Sequence, residues 1–516
     1  MKAPVEKFAD VLVVGGGVAA LRAAIAAAEE GARVVMLCKG RAGASGCSAQ
    51  LERGIEYCAI NCGPYTGSEQ EKLAEEYLRC GMGVNRRDVV EAFVAALPSE
   101  YRRLMRMRLP LMGRRLARSR LRWLGHPLPE GLIGGRGFGR DLLRTLRRQA
   151  QELNVEILDR CQVVALDACG GRVRGAAGLD LRQGGVRRIG APAVVLATGG
   201  AGSVFPLTTN PSEVVGDGPV LAGRCGALLR NMEFYSYYPL SIGRVRRIYL
   251  IHPVLMAGRM SDALESAWIA NGREPGRSLE MLLSVRDACH WMEERLNQGC
   301  ATPAGGVWWD GRRMPEALYM QKIPLTYRQL RHAGVDLARE RLEVAPHAHQ
   351  SVGGVEVDAR ARTSVDGLFA AGETAAGLHG AIRMNGSGVT AGLALGAIAG
   401  RSAAAHARSC GRPDGRVDGH LPSGAVPASA ARLKSLRDQV CAAMGPLLVI
   451  RRREDLCRAA ARLGEIREEA EEMRFEPRQP ALAGLREDVR TASDAASIMV
   501  EHSLLRRESL GLFQTE

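Results

Sequence analysis

The chain has 516 residues, 46% of them hydrophobic, too many for one ordinary core, which predicts two or three globular domains. Its thirteen cysteines include no C-x-x-C pair, the nearest being Cys58 and Cys62, so no zinc or iron–sulfur ligand set can be read and no metal site is expected. The net charge of +14 excludes less than it suggests: only six of the 70 basic residues are lysine, and Arg, Ala and Gly abound throughout, as a GC-rich coding sequence would give.

The first ten residues, MKAPVEKFAD, hold no apolar h-region, and no apolar run reaches the ~18 residues of a spanning helix, so a cytoplasmic chain without a transmembrane segment is expected. Asp10 to Lys39 read DVLVVGGGVAALRAAIAAAEEGARVVMLCK: a buried strand, a glycine turn, an Ala-rich helix and a second strand. The spacing Gly15-x-Gly17-x-x-Ala20 supplies a sharp turn, backbone close enough to touch a pyrophosphate, and a small residue where helix meets sheet. The helix N-terminus at Val18 and Ala19 then presents unpaired N–H groups and a positive dipole end to the phosphates. This βαβ unit is read as a dinucleotide cradle.

A small-residue loop follows from Gly40 to Gly54, then helical stretches near Ser68 to Gly81 and Arg87 to Met107. Nine arginines lie between Arg102 and Arg122; without interleaved aromatics this is no stacking platform, so nucleic acid is not expected, and a solvated face or a dock for an acidic partner both stay open. Gly139 to Glu152 is an amphipathic helix and NVEIL begins a strand. Val163 to Ile189 alternates apolar and polar residues broken by GG pairs, as antiparallel strands on tight turns do. The apolar run Ala193 to Ala197 ends in Thr198-Gly199-Gly200, a turn a ligand can approach closely. Residues 219–345 read as an inserted α+β domain. Cofactor-type patterning resumes at Gly353, and a Pro/Gly/Ser-rich linker precedes a helical module beginning at Ala430.

Five ordered segments resemble the flavoprotein subunit family of succinate dehydrogenase, fumarate reductase and L-aspartate oxidase. They are ATGGAGSVFPLTTNPSEVVGDG with MEF (Ala197 to Phe234), HQSVGGVEVD (His349 to Asp358), GLFAAGE, HGAIRMNGSG (to Gly388) and the tail LLRRESLGLF. The resemblance implies an α/β fold: a Rossmann-like FAD-binding domain in two parts (1–218 and 346–408), an inserted α+β capping domain (219–345), a linker (409–429) and a C-terminal helical module (430–516).

It also implies FAD. Ribose and ribitol need carboxylate or hydroxyl partners, for which Asp217 and Glu373 are candidates, Glu373 emerging at the carboxyl end of the strand LFAAG. Cys38-Lys39 stands where many Rossmann proteins carry a ribose-binding acid, and Ser387, Gly388 and Val389 close the last cofactor motif. Relatives that attach FAD covalently use a histidine five positions before the loop glutamine. Counted back from Gln50 that position is Ser45, so the expectation is non-covalent FAD.

The family moves a hydride between flavin N5 and a substrate carbon beside a carboxylate. By resemblance, Arg383 grips a carboxylate through its two-pronged donor face, His349 hydrogen-bonds a carboxylate, and Arg286 in SVRDACHWMEERL is the proton donor. Other substrate positions depart: the family's HPT histidine falls on Tyr238, and its TEALRGEG strip on residues 251–258, IHPVLMAG. Each missing charge-assisted hydrogen bond forfeits ~1.5–3 kcal/mol, so the expected substrate is a small carboxylate other than succinate or fumarate. An iron–sulfur or other electron-transfer subunit is the expected partner, through which the chain would be peripheral to a membrane. Two further readings stand beside this one: an amino-acid oxidase like L-aspartate oxidase, and a non-catalytic electron relay distantly like adenylylsulfate reductase.

Overall fold

The computed structural model describes the chain except residues 1, 2, 5, 52–57, 116, 118–127, 129, 130, 136, 250, 251, 270–277, 412–415, 418–425 and 475–478. The patch between Arg102 and Arg122, the linker and the strip at 251–258 therefore lie partly outside the described residues.

At the centre is a five-stranded parallel sheet in the order Leu368–Ala370, Ala193–Leu196, Val11–Val14, Val34–Cys38, Glu156–Asp159. Val11–Val14, Val34–Cys38 and Ala193–Leu196 are apolar at nearly every position because both faces are covered, as in a doubly wound sheet. The helix Val18–Glu29 is buried from Val18 to Ala27. It packs against the long helix Ser387–Ser409 at van der Waals contact that only glycine permits: a Cβ on Gly396 would lie 2.6 Å from the Ala19 carbonyl oxygen, and one on Gly400 2.1 Å from that of Ala23. Arg22 is also inside this layer, 2% exposed. It is neutralised by Glu100 of the helix Arg87–Arg106 through a forked pair at 3.0 and 2.9 Å.

Beside the central sheet stands a four-stranded sheet ordered Lys7–Phe8, Val186–Gly190, Arg172–Asp180, Cys161–Cys169. Its last three strands are the antiparallel run expected from Val163 to Ile189. The amphipathic helix expected at Gly139 to Glu152 spans Phe138–Glu152.

Between the two halves of the cofactor patterning, a five-stranded antiparallel sheet forms in the order Tyr235–Ser241, Leu342–Ser351, Val307–Asp310, Arg259–Ser261, Ala267–Ile269. Its strand Leu342–Ser351 runs across residue 345 back toward the central sheet and carries His349 with it. The helix Ser278–Asn297 covers this sheet.

The C-terminal helices Ala430–Met444, Arg453–Glu472 and Pro480–Leu505 pack on one another and share one apolar core with the antiparallel sheet. Polar links fasten them to the rest: Arg437 donates to the Ser203 carbonyl at 2.6 Å and Arg224 pairs with Asp494. The tail then returns inward, Leu512 N donating to the Ala381 carbonyl at 3.0 Å and the Tyr237 hydroxyl to the Leu512 carbonyl at 3.1 Å. Among the described residues no helix is long and apolar enough to cross a membrane.

Candidate active site

A cleft opens over the carboxyl ends of the parallel strands. Twelve of the residues assigned to the cofactor from sequence line it. Gly15, Gly17, Val18 and Ala19 form one wall, Cys38, Lys39 and Ser45 another. Thr198, Gly199 and Asp217 come from the segment after the strand Ala193–Leu196, Glu373 and Gly388 from the second half of the chain.

Gly15 adopts φ +130°, and a Cβ there would stand 2.2 Å from the Ala197 carbonyl oxygen, so the turn excludes every side chain. Gly17 caps the helix without a side-chain acceptor, leaving the helix N-terminus turned into the cleft. Gly16, not assigned from the fingerprint, is as constrained: its Cβ would fall 2.2 Å from the Cys38 sulfur. Burial, then Asp159, pushes the Cys38 thiol up to about 11, so it remains a protonated apolar wall.

Lys39 Nζ lies 2.9 Å from Asp217 and 2.8 Å from Asp488, and donates to the Glu213 carbonyl at 3.0 Å. Burial alone would lower this ammonium, but the two carboxylates outweigh it and hold it above its ordinary value. Burial raises the Asp488 carboxyl against the pull of Lys39.

At the other end, Glu373 Oε1 accepts from Ser351 N at 2.9 Å, and burial lifts its carboxyl to about 7 despite that bond and Arg383. Gly200 does not line the cleft but makes room for this carboxylate, since its Cβ would stand 2.2 Å from Glu373 Oε1. Thr374 ties the two halves together: its hydroxyl accepts from Gly199 N at 3.0 Å and donates to Gly199 O at 3.1 Å.

The remaining assigned residues sit behind the lining. Ala20 is fully buried beneath Gly15, Val389 is buried in the first turn of its helix, and Ser387 starts that helix with its hydroxyl bonded to the Met384 carbonyl. Gln50 ends a short helical turn, Cys47–Gln50, and is half-buried.

Arg383 and His349 come together beside the cleft. Arg383 is 7% exposed; its Nη2 lies 3.0 Å from where a Cβ on the cleft residue Gly388 would be, and its Nε has no partner. His349 Nδ1 is 2.9 Å from the Thr209 hydroxyl, and its ring meets Tyr238 edge to face at 5.1 Å. Burial and then Arg383 push both His349 and the neighbouring His379 down to about 3, so both imidazoles are neutral. Tyr238 donates to Asn385 Oδ1 at 2.6 Å. Arg286 stands apart: it pairs with Asp287 on its own helix, and its Nη1 is 3.5 Å from the Gly511 carbonyl. No contact joins it to His349 or Arg383 among the described residues; its link to them runs through Gly511 and Leu512, which pack on Ala381.

Several cleft residues carry no fingerprint. Ser48, in the helical turn Cys47–Gln50, has a hydroxyl that accepts from Val18 N at 3.3 Å, and Glu213 sits in a loop. Asp488, the partner of Lys39 and not itself a lining residue, comes from the C-terminal helix, a pairing no spacing rule could reveal. Gly372 had a legible signal, a glycine ending the strand Leu368–Ala370, and adopts φ +69°.

The residues present fit a flavin dinucleotide: a glycine cradle that any Cβ would fill, a helix N-terminus turned into the cleft, and carboxylates at both ends of the cleft. A family model described as an FAD binding domain matches residues 10–389. An uncharacterised FAD-dependent oxidoreductase of Methanocaldococcus jannaschii is 30% identical over 76% of this chain and 71% of its own length. L-aspartate oxidase of Streptomyces coelicolor is 30% identical over 75% of this chain and 66% of its own. Among solved structures, the FrdA chain of E. coli quinol fumarate reductase superposes with a TM-score of 0.82 at 25% identity, over 99% of this chain and 91% of that one. The chain thus belongs to the FAD-binding family that holds the fumarate reductase and succinate dehydrogenase flavoproteins and L-aspartate oxidase, and it is an FAD-dependent oxidoreductase.

Proposed function

We propose that this oxidoreductase reduces or oxidises a carbon–carbon bond beside a carboxylate, on a substrate other than succinate or fumarate, with FAD held non-covalently. The observation that carries the reading is the buried guanidinium of Arg383 beside Gly388, with an unpartnered Nε and two neutral imidazoles for neighbours. A guanidinium taken out of water with an open donor recruits an anion, and a carboxylate fits its planar fork.

FAD supplies a hydride donor and acceptor at flavin N5. Arg383 binds the substrate carboxylate and fixes its distance from the cleft. His349, neutral and steadied by Thr209, contributes a hydrogen bond without a second charge. Tyr238 and Tyr249, ring centroids 5.1 Å apart, offer an apolar wall in place of another cation, which supports a less charged substrate than a short dicarboxylate. Arg286, whose guanidinium meets Asp287 and the Gly511 carbonyl, is the candidate for the proton by resemblance alone; because guanidinium scarcely deprotonates, its part is to pass a proton on without keeping a neutral form. Glu373 and Asp217 hold the cofactor's hydroxyls, and Ser45, which lines the cleft where covalent relatives carry a histidine, offers no ring nitrogen for a covalent link to the flavin. Electrons are exchanged with a separate electron-transfer protein, and the chain works in the cytoplasm.

The test is anaerobic. The purified yellow protein is photoreduced, then mixed with a panel of unsaturated mono- and dicarboxylates while the oxidised flavin absorbance is followed. Return of colour with an enoate other than fumarate, lost in Arg383→Met with the flavin retained, is the expected result. Failure of the whole panel would remove the reading. The likeness to L-aspartate oxidase favours a second one, oxidation of a C–N bond, for which hydrogen peroxide formed from L-aspartate in air is the mark.

A further inference from the structure

The last turn of the helix Ser387–Ser409 brings His406 and Cys410 together at i, i+4 spacing, about 30 Å from the helix end that faces the cleft. Cys410 Sγ is 3.4 Å from His406 Nε2, and Arg172 Nη2, from the strand Arg172–Asp180, hydrogen-bonds the same sulfur. Asp366 braces both helpers: its carboxylate lies 3.1 Å from Arg172 Nε and 3.8 Å from His406 Nδ1. Phe369 packs edge-on against the imidazole, ring centroids 5.9 Å apart, and fixes its plane. Gly367 adopts φ +75°, and a Cβ there would stand 3.2 Å from His406 Nε2, so the ring keeps its place only beside a glycine.

We propose that Cys410 is a nucleophilic, oxidisable thiol activated by His406 and Arg172, a site for peroxide and other soft electrophiles distinct from the flavin cleft. Reactivity belongs to the thiolate, and a thiolate forms where a base can take the proton and a cation can stabilise the charge. His406 is the base and Arg172 the cation. The negative end of the helix dipole works against the thiolate, and the guanidinium on the sulfur offsets it. Both an imidazole and a guanidinium thus reach this one sulfur. Cys38, Cys62, Cys80, Cys161, Cys289 and Cys300 are buried, whereas Cys410 is half-exposed.

With hydrogen peroxide the step balances. The thiol proton passes to His406 Nε2; the thiolate attacks one peroxide oxygen, forming S–O and breaking O–O. The leaving hydroxide takes the proton back from His406. Sulfur is oxidised by two electrons to sulfenic acid and the peroxide is reduced to water.

The test uses the FAD-loaded full chain, treated briefly with substoichiometric iodoacetamide or hydrogen peroxide, trapped, and mapped by peptide mass spectrometry. Cys169 and Cys457, both exposed, serve as internal references. Cys410 is expected to react at least about tenfold faster than either, and His406→Gln or Arg172→Met to remove most of that advantage while the references keep their rates. The Cys410→Ser protein, with normal flavin absorbance, shows that a missing label reflects the thiol and not misfolding. Equal labelling of Cys410, Cys169 and Cys457, or wild-type rates in both variants, would overturn the proposal.

Discussion

Replacing Glu373 by Gln keeps the shape of the side chain and removes only its charge, and the structure makes two opposite demands of it. In the free protein the carboxyl, ordinarily titrating at 4.5, is lifted to about 7 by burial. A folded-state acid raised in this way costs nothing below the unfolded value and costs more as pH rises, because the unfolded chain gives up its proton first. The penalty grows between about 4.5 and 7 and amounts to roughly 3 kcal/mol once both states are ionised. E373Q can still accept from Ser351 N through its amide oxygen and escapes that penalty. The apo variant should therefore melt higher than the apo wild type at pH 8 and at the same temperature at pH 4.5. Cofactor binding should move the other way. A charge-assisted hydrogen bond to a ribityl or ribose hydroxyl becomes a neutral one, a loss of about 1–2 kcal/mol, or roughly 5- to 30-fold in the dissociation constant for FAD. Wild-type affinity should rise as pH passes through 7, and that of E373Q should stay flat. Thermal melting of the apo forms and titration with FAD by flavin fluorescence quenching measure both effects. Equal FAD affinity of the two proteins at pH 8 would refute the placing of Glu373 on the cofactor, and identical apo melting curves across this pH range would refute the upward shift of its carboxyl.

Gly15→Ala should purify colourless, since a methyl 2.2 Å from the Ala197 carbonyl at φ +130° has nowhere to go; a weakening of FAD binding beyond about 100-fold, near 3 kcal/mol, is expected in equilibrium dialysis. Because burial and Arg383 hold His349 near 3, turnover should show no inflection from this imidazole between pH 5 and 8, and an inflection in wild type that disappears in His349→Asn would contradict the neutral assignment. Lys39→Met removes the ammonium that lies between Asp217 and Asp488; a loss of about 3 kcal/mol is expected, read as a lower melting midpoint that partly recovers when Asp488→Asn is added.

Much of the fold was legible because its determinants are local. VLVV before a glycine turn and VVML after an Ala-rich helix can bury themselves only as parallel strands with a crossover helix between them. The glycines of the cradle announce a backbone that must approach a ligand, and Gly15 occupies the positive φ which that requires. The alternating run from Val163 to Ile189 carried its own period of two. The dinucleotide cradle rested on these short-range patterns, and FAD in particular on the resemblance carried by the five ordered motifs along the chain.

The site beyond the cradle was decided by contacts between distant residues. Nothing in the sequence links Asp488 to Lys39, Thr374 to Gly199, or the tail at Leu512 to Ala381; each is a hydrogen bond or ion pair closed only when separate elements dock. The neutral state of His349 is likewise tertiary, because desolvation by the antiparallel sheet and the charge of Arg383, not the identity of its neighbours in sequence, set it. Arg286 shows the same division from the other side: a motif selected it, but its helix turns its guanidinium to Asp287 and Gly511. The order of residues along the chain dictated that it is shaped to hold a dinucleotide, since that depends on backbone geometry within about thirty residues, and the ordered motifs beyond the cradle narrowed the dinucleotide to FAD by resemblance. Packing alone decided which charges survive burial around it, since the cost of a buried charge depends on what stands next to it in space.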